Sequence, residues 1–144
     1  MPKINPYSPP TADVEDRLLD AEHIDDLPVS EVWKKKFKAM RKAGGPGMKN
    51  LNSLSKAERK DLGSFNVVAF LFGPLYYMAK GMWRRGILLF AVCVAAVIVI
   101  DIALGLIGLE NFGKALGYGV AGVFAVRANA DYYKKMVLGD NGWW

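Results

Sequence analysis

Apolar positions are distributed unevenly along this chain. Up to residue 63 no apolar run exceeds three residues, whereas residues 64–126 are mostly apolar and broken by few charges. That pattern predicts a membrane protein with a water-facing N-terminal part. The strongest candidate span is Gly86–Leu109, "GILLFAVCVAAVIVIDIALGLIGL", with 24 residues. At about 1.5 Å per residue it is long enough to cross a hydrocarbon core of about 30 Å. Asp101 interrupts it and costs about 2.5–3.5 kcal/mol at a helix centre. The fifteen Leu, Ile, Phe and Val residues of the segment return roughly 5–9 kcal/mol, so insertion is still favoured.

Two weaker apolar segments flank it. Phe112–Val126, "FGKALGYGVAGVFAV", is short and glycine-rich. Gly113, Gly117, Ala121 and Ala125 recur every four residues, a smooth ridge of the kind that lets helices approach closely in a membrane. This segment is expected to be the second arm of a hairpin that turns at "LENFGK" and packs through the ridge. Upstream lies "FNVVAFLFGPLYYMAKGMWRRG", Phe65–Gly86. Pro74 removes a backbone donor and obstructs a continuous helix, and Gly73 before it eases a bend.

The pattern before residue 64 is amphipathic. In "SEVWKKKFKAMRKAGG" Ser30 is placed as an N-cap, and Gly44 and Gly45 as the stop. Trp33, Phe37 and Met40 fall on one helical face, with Lys34, Lys35, Lys38, Arg41 and Lys42 around it. Such a face suits either an anionic membrane surface or docking on another part of the same protein. "SKAERKDL" predicts a second short helix, with Ser55 and Glu58 spaced as a capping box.

Charge sharpens the division. The net charge of +5 conceals blocks of −5 over residues 1–28, +7 over 29–63 and +3 over the remainder. The chain is accordingly divided into an acidic, Pro-rich leader (1–28), a basic amphipathic helical region (29–63), a membrane-embedded helical domain (64–135) and an aromatic tail (136–144). The leader, poor in apolar residues, is expected to be solvated or loosely docked. It carries no apolar signal region, so the first insertion signal is expected to be internal. Basic residues favour the cytoplasmic side. Residues 29–63, "KGMWRR" and the C-terminal "RANADYYKKMVLGDNGWW" are all basic or carry bases, so both ends of Phe65–Met82 are expected to face inward. The segment then reads as a re-entrant or interfacial helix–break–helix, with a third full span as the alternative. Lys80, Trp83, Arg84 and Arg85 join Trp33, Lys34, Lys35, Phe37, Lys38, Met40 and Arg41 as the expected membrane-surface set. The fold class is all-α: cytoplasmic amphipathic helices, the Pro-broken segment and a two-helix transmembrane hairpin.

Candidate chemistry is sparse. Cys93 is the single cysteine and His23 the single histidine. No nucleophile–histidine set, Gly-rich phosphate loop, HExxH or CxxC motif is present. No metal or cofactor is expected, and charge without a nucleic-acid motif gives no reason to expect nucleic acid. Asp101 is the one intramembrane acid, read either as structurally satisfied or as a conduction residue.

The pattern FN-x-x-AF-x-FGP-x-YY-x-x-KGMW falls on Phe65, Asn66, Ala69, Phe70, Phe72, Gly73, Pro74, Tyr76, Tyr77, Lys80, Gly81, Met82 and Trp83. It resembles the signature of a family of small, mostly bacterial inner-membrane proteins, the domain of unknown function numbered twenty-six twenty-eight. The upstream "VWKKKF" and downstream "RANADYY" look like its flanking elements, so the resemblance runs from about Val32 to Tyr133. It implies a membrane location and a shared fold, and no activity. The expected protein is therefore a non-enzymatic, multi-pass inner-membrane protein with both termini cytoplasmic. It would act on the anionic inner leaflet, a second copy or another membrane protein. Superinfection exclusion, the blocking of phage DNA injection, is one concrete version, by analogy of type. An oligomeric transporter or channel subunit using Asp101 is the alternative.

Overall fold

A computed structural model describes residues 23–109 and 113–144 of the chain. The leader before His23 and most of the expected "LENFGK" turn lie outside the described residues. Among the described residues, 23–26 are helical, and six further α-helices follow: α1 (Glu31–Lys42), α2 (Lys56–Leu62), α3 (Val67–Phe72), α4 (Pro74–Ala79), α5 (Trp83–Leu106) and α6 (Gly113–Met136). Two 3-10 turns, Gly45–Gly47 and Leu51–Ser53, link α1 to α2.

Local sequence accounts for most boundaries. Ser30 occupies the N-cap of α1 in an extended conformation, although its hydroxyl makes no capping bond. Glu31 in the first turn and Arg41 and Lys42 in the last complement the helix dipole. Helix α2 has the expected capping box, with the Ser55 hydroxyl accepting from Glu58 N–H and Glu58 accepting from Ser55 N–H at 2.7 Å. Lys42 Nζ reaches Glu58 Oε1 at 2.6 Å. Lys42 first, then the Ser55 amide, holds the Glu58 carboxyl down to about 2 from a usual 4.5. With the folded value below the unfolded one, the stabilisation is complete above about pH 4.5 and disappears as pH falls through about 2. Acid titration followed by amide NMR is expected to leave α2 unchanged above about pH 5 and to fray its first turn between about pH 4 and 2. A Glu58→Gln variant should lack that transition.

Between α3 and α4 the chain breaks where the sequence predicts. Gly73 takes φ 45° and ψ −118°, a left-handed backbone that favours glycine. Pro74 opens α4, where its missing N–H costs nothing. Each helix has six residues, about 9 Å of length, so neither alone reaches across a bilayer core.

The core gathers around the C-terminal half of α6, which runs between α1 and the broken pair. Phe124 meets Tyr77 edge-on at 5.4 Å. Tyr132 packs against Trp33 at 4.6 Å, and Tyr133 against Phe37 at 5.7 Å. Residues from 29–63 and from 64–135 contribute to one core. Phe37 and Met40, expected at a membrane surface, are fully buried within the protein. Their apolar stripe found its partner on α6. Ile24 and Leu27 are buried too, and Asp25 pairs with Lys38 at 2.6 Å, so the end of the leader is docked.

Helix α6 continues past the apolar stretch that ends at Val126, through "RANADYYKKM", which holds no Gly or Pro to end it, and closes at Met136. The tail folds back as well. Val137 is buried, Trp143 stands edge-on to Trp83 at 5.8 Å, and Arg127 lies over the Trp144 ring at 4.4 Å.

Helix α5 projects from this head. Its buried residues, Arg85, Gly86, Leu89 and Cys93, all lie in its first half. Within its 24 residues an 18-residue stretch has a mean hydropathy of 3.1, and 11% of that stretch is buried. It is the one helix among the described residues long and apolar enough to cross a membrane.

Candidate functional site

The signature residues converge on the junction of α3, α4 and α6. Asn66 is the hub. As N-cap of α3 its side-chain oxygen accepts from Ala69 N–H at 3.0 Å. Its amide nitrogen donates to the Tyr76 hydroxyl at 3.0 Å and to Asn129 Oδ1 at 2.9 Å. Its backbone N–H donates to Ala125 O at 3.1 Å. Asn129 Nδ2 in turn donates to the Gly63 carbonyl. One buried side chain thus starts a helix, orients a tyrosine and fixes α3 to α6. A buried amide is stable only when paired in this way.

A second network lies two residues further along α6, about half a turn. The Tyr77 hydroxyl donates to Asp131 Oδ2 at 2.8 Å, with Arg127 Nε 3.7 Å from the same oxygen. Arg85, expected at the membrane surface, is 3% exposed. It donates to the Asp131 carbonyl at 3.1 Å and meets Asp140 at 2.8 Å. This correction has a physical cause: a guanidinium can satisfy several acceptors from one position, and the returning tail supplies them. The Gly142 N–H, and after it Arg85, holds the Asp140 carboxyl below its usual range.

Other expected surface residues do stay at the surface. Lys35 and Lys38 are exposed on α1, and Lys34, partly buried, pairs with Glu31 at 3.0 Å. Trp83 and Arg84 are exposed at the start of α5, with Arg84 over the Trp83 ring at 5.4 Å. Trp33 is half-buried and carries two ammonium groups over its ring, Lys36 at 5.1 Å and Lys80 at 5.3 Å. Lys135 Nζ donates to the Lys80 carbonyl and so anchors the backbone of that lysine. Arg41 lines an open basic cleft between α1 and α2, with its Nη1 buried and unpaired.

Of the small-residue ridge, Ala125 is fully buried against the head and Ala121 is half-buried. Gly117 is exposed, with no atom within 4 Å of where a side chain would start. Gly113 opens α6. Among the described side chains, the ridge packs inside the chain at Ala121 and Ala125. Asp101 is exposed on α5, and Arg127 is engaged by Asp131 and Trp144 instead.

The apolar surface that remains is extensive. Val67, Val68, Leu71, Phe72, Leu75 and Met78 all point outward from the broken pair. Among the described residues no three His, Cys, Asp or Glu side chains are grouped to hold a metal. The arrangement offers hydrogen-bonded rigidity, an apolar face and fixed cations. Sequence reasoning missed Lys36, Asn129 and Asp131. Lys36 stands three residues after Trp33, a spacing that places it beside the ring. Asn129 and Asp131 were visible as polar positions within an apolar-flanked helical stretch.

Comparison with known proteins places the chain among bacterial relatives. It is 29% identical over 132 residues to proteins called uncharacterized protein YigF from Salmonella typhimurium and from Escherichia coli K12. Each alignment covers 87% of this chain and 98% of the relative. No solved structure matches the chain. The family described as protein of unknown function (DUF2628) matches over residues 19–137, which include the Asn66 network and the Tyr77–Asp131 pair. The chain belongs to that family.

Proposed function

We propose that this protein is a non-enzymatic membrane protein that acts through protein–lipid and protein–protein contact at the inner leaflet of the cytoplasmic membrane. In this reading α5 crosses the bilayer, α3 and α4 lie broken in one leaflet, and the basic head of α1 and α2 faces the cytoplasm. The upper part of α6 lies beside α5 as the second arm. The observation that carries the reading is the bare apolar length of α5. An 18-residue stretch of mean hydropathy 3.1 in the core of a soluble protein would be mostly covered, whereas this one is 11% buried. The outward face of Val67, Val68, Leu71, Phe72, Leu75 and Met78 supports it. Basic residues on the head agree with the positive-inside rule.

Alkaline carbonate extraction tests the reading. The full chain is expected to stay in the membrane pellet. Val94 and Ile98 are exposed on α5, so replacing both by Asp removes no internal packing but adds about 5–7 kcal/mol to the cost of insertion. That variant should be released or degraded. Release of the wild-type chain by the alkaline wash would overturn the proposal.

A further inference from the structure

A groove of about 520 Å³ opens between α1 and α3, lined by Val32, Trp33, Lys36, Phe65, Val67, Val68 and Lys80, among others. Its two cations come from different elements and lie over the same indole ring, Lys36 at 5.1 Å and Lys80 at 5.3 Å. Among the described residues neither lysine has a carboxylate within ion-pairing distance, although Lys34, Lys38 and Lys42 of the same helix each have one. Burial lowers the pKa of Lys36, with no compensating negative neighbour. The groove therefore holds two positive charges that are partly desolvated and not neutralised, an arrangement that favours an anion. Its wall is apolar: Val32, Phe65, Val67 and Val68 are all exposed. That wall runs into the outward face of α3 and α4.

We propose that this groove binds one acidic phospholipid, its phosphate held by Lys36 and Lys80 beside Trp33 and an acyl chain lying along Phe65, Val67 and Val68. The inference rests on the membrane reading above and deepens it: the leaflet contact is a discrete headgroup site and not only a diffuse attraction of positive charge. Charge complementarity and continuity with the apolar face select the occupant. A zwitterionic lipid brings its own cation to offset its phosphate, and a soluble anion would leave the apolar wall bare.

The test uses the full chain in phosphatidylcholine vesicles, with Trp83, Trp143 and Trp144 replaced by Phe so that Trp33 alone emits. Quenching is compared for brominated phosphatidylglycerol and brominated phosphatidylcholine at equal mole fraction. Phosphatidylglycerol is expected to associate about 5- to 30-fold more strongly, given the usual contribution of two lysines near an anionic headgroup. The Lys36→Gln/Lys80→Gln pair should abolish that preference, and Lys36→Arg/Lys80→Arg should keep it. Lys56→Gln/Lys60→Gln removes the same charge from exposed positions of α2 outside the groove and should also keep it. Equal quenching by the two lipids, or equal loss in the two Gln pairs, overturns the headgroup site while leaving the membrane reading intact. Failure of the chain to float with the vesicles overturns the membrane reading and this site together.

Discussion

Replacing Gly86 with alanine is expected to destabilise the head by about 1–3 kcal/mol, the usual range for forced overpacking, and replacing it with leucine to prevent α5 from docking. The reason is geometric. A Cβ at this position would stand 2.7 Å from Tyr77 Cβ and 3.4 Å from Tyr77 Cγ. The obstacle is the base of a fully buried ring, not the free end of a flexible side chain. Tyr77 cannot yield without leaving Asp131, whose carboxylate accepts its hydroxyl proton at 2.8 Å, and without losing Phe124. Denaturant titration in detergent, followed by tryptophan emission, measures the effect. Alanine should lower the midpoint with an unchanged slope, and leucine should broaden or abolish the transition. A Gly105→Ala control, where nothing lies within 4 Å, should match or exceed wild type, because alanine is the better helix former. An unaffected Gly86→Ala variant would mean that α4 and α5 do not meet in this way.

The second large effect is expected at Asn66. Alanine there removes the α3 cap, usually about 1 kcal/mol. It also strands the Asn129 carbonyl oxygen, a buried loss of about 1–3 kcal/mol. The combined cost should fall at about 2–4 kcal/mol in the same titration. Asn66→Asp separates the two parts. A carboxylate still accepts from Ala69 N–H but cannot donate to Asn129 Oδ1 or to the Tyr76 hydroxyl, so the cap should survive while α3 loosens from α6. Hydrogen exchange at the amides of Ala69 and Phe70 against those of α6 reads this out. If Asn66→Asp behaves as wild type, the amide donor is not what joins the helices.

These two residues also show what the sequence made legible. The Gly73–Pro74 break, the Ser55–Glu58 box and the long apolar stretch of α5 are local features, set by spacing within a few residues. They could be read directly. The partner of the α1 stripe could not. Trp33, Phe37 and Met40 present the same pattern to a lipid surface and to Tyr132 and Tyr133, which lie about a hundred residues away in the chain. Arg85 was misplaced for a related reason. Beside Trp83 and Arg84 it reads as an interfacial cation, and only the return of the tail to offer Asp140 turns it inward. The signature itself was recognisable as a pattern, but its reason was hidden. Asn66 answers Asn129, and Tyr77 answers Asp131, across more than fifty residues.

The continuity of helix α6 has a mechanical consequence. It is one unbroken rod of 24 residues, about 36 Å long. Its upper part is smooth with glycine and bare, and its lower part carries Asn129, Asp131 and Tyr132 into the head. Continuous backbone hydrogen bonding makes such a rod stiff along its axis. Gly117 and Tyr132 thus stand about 22 Å apart on one axis, the first on the bare end and the second against Trp33 in the head.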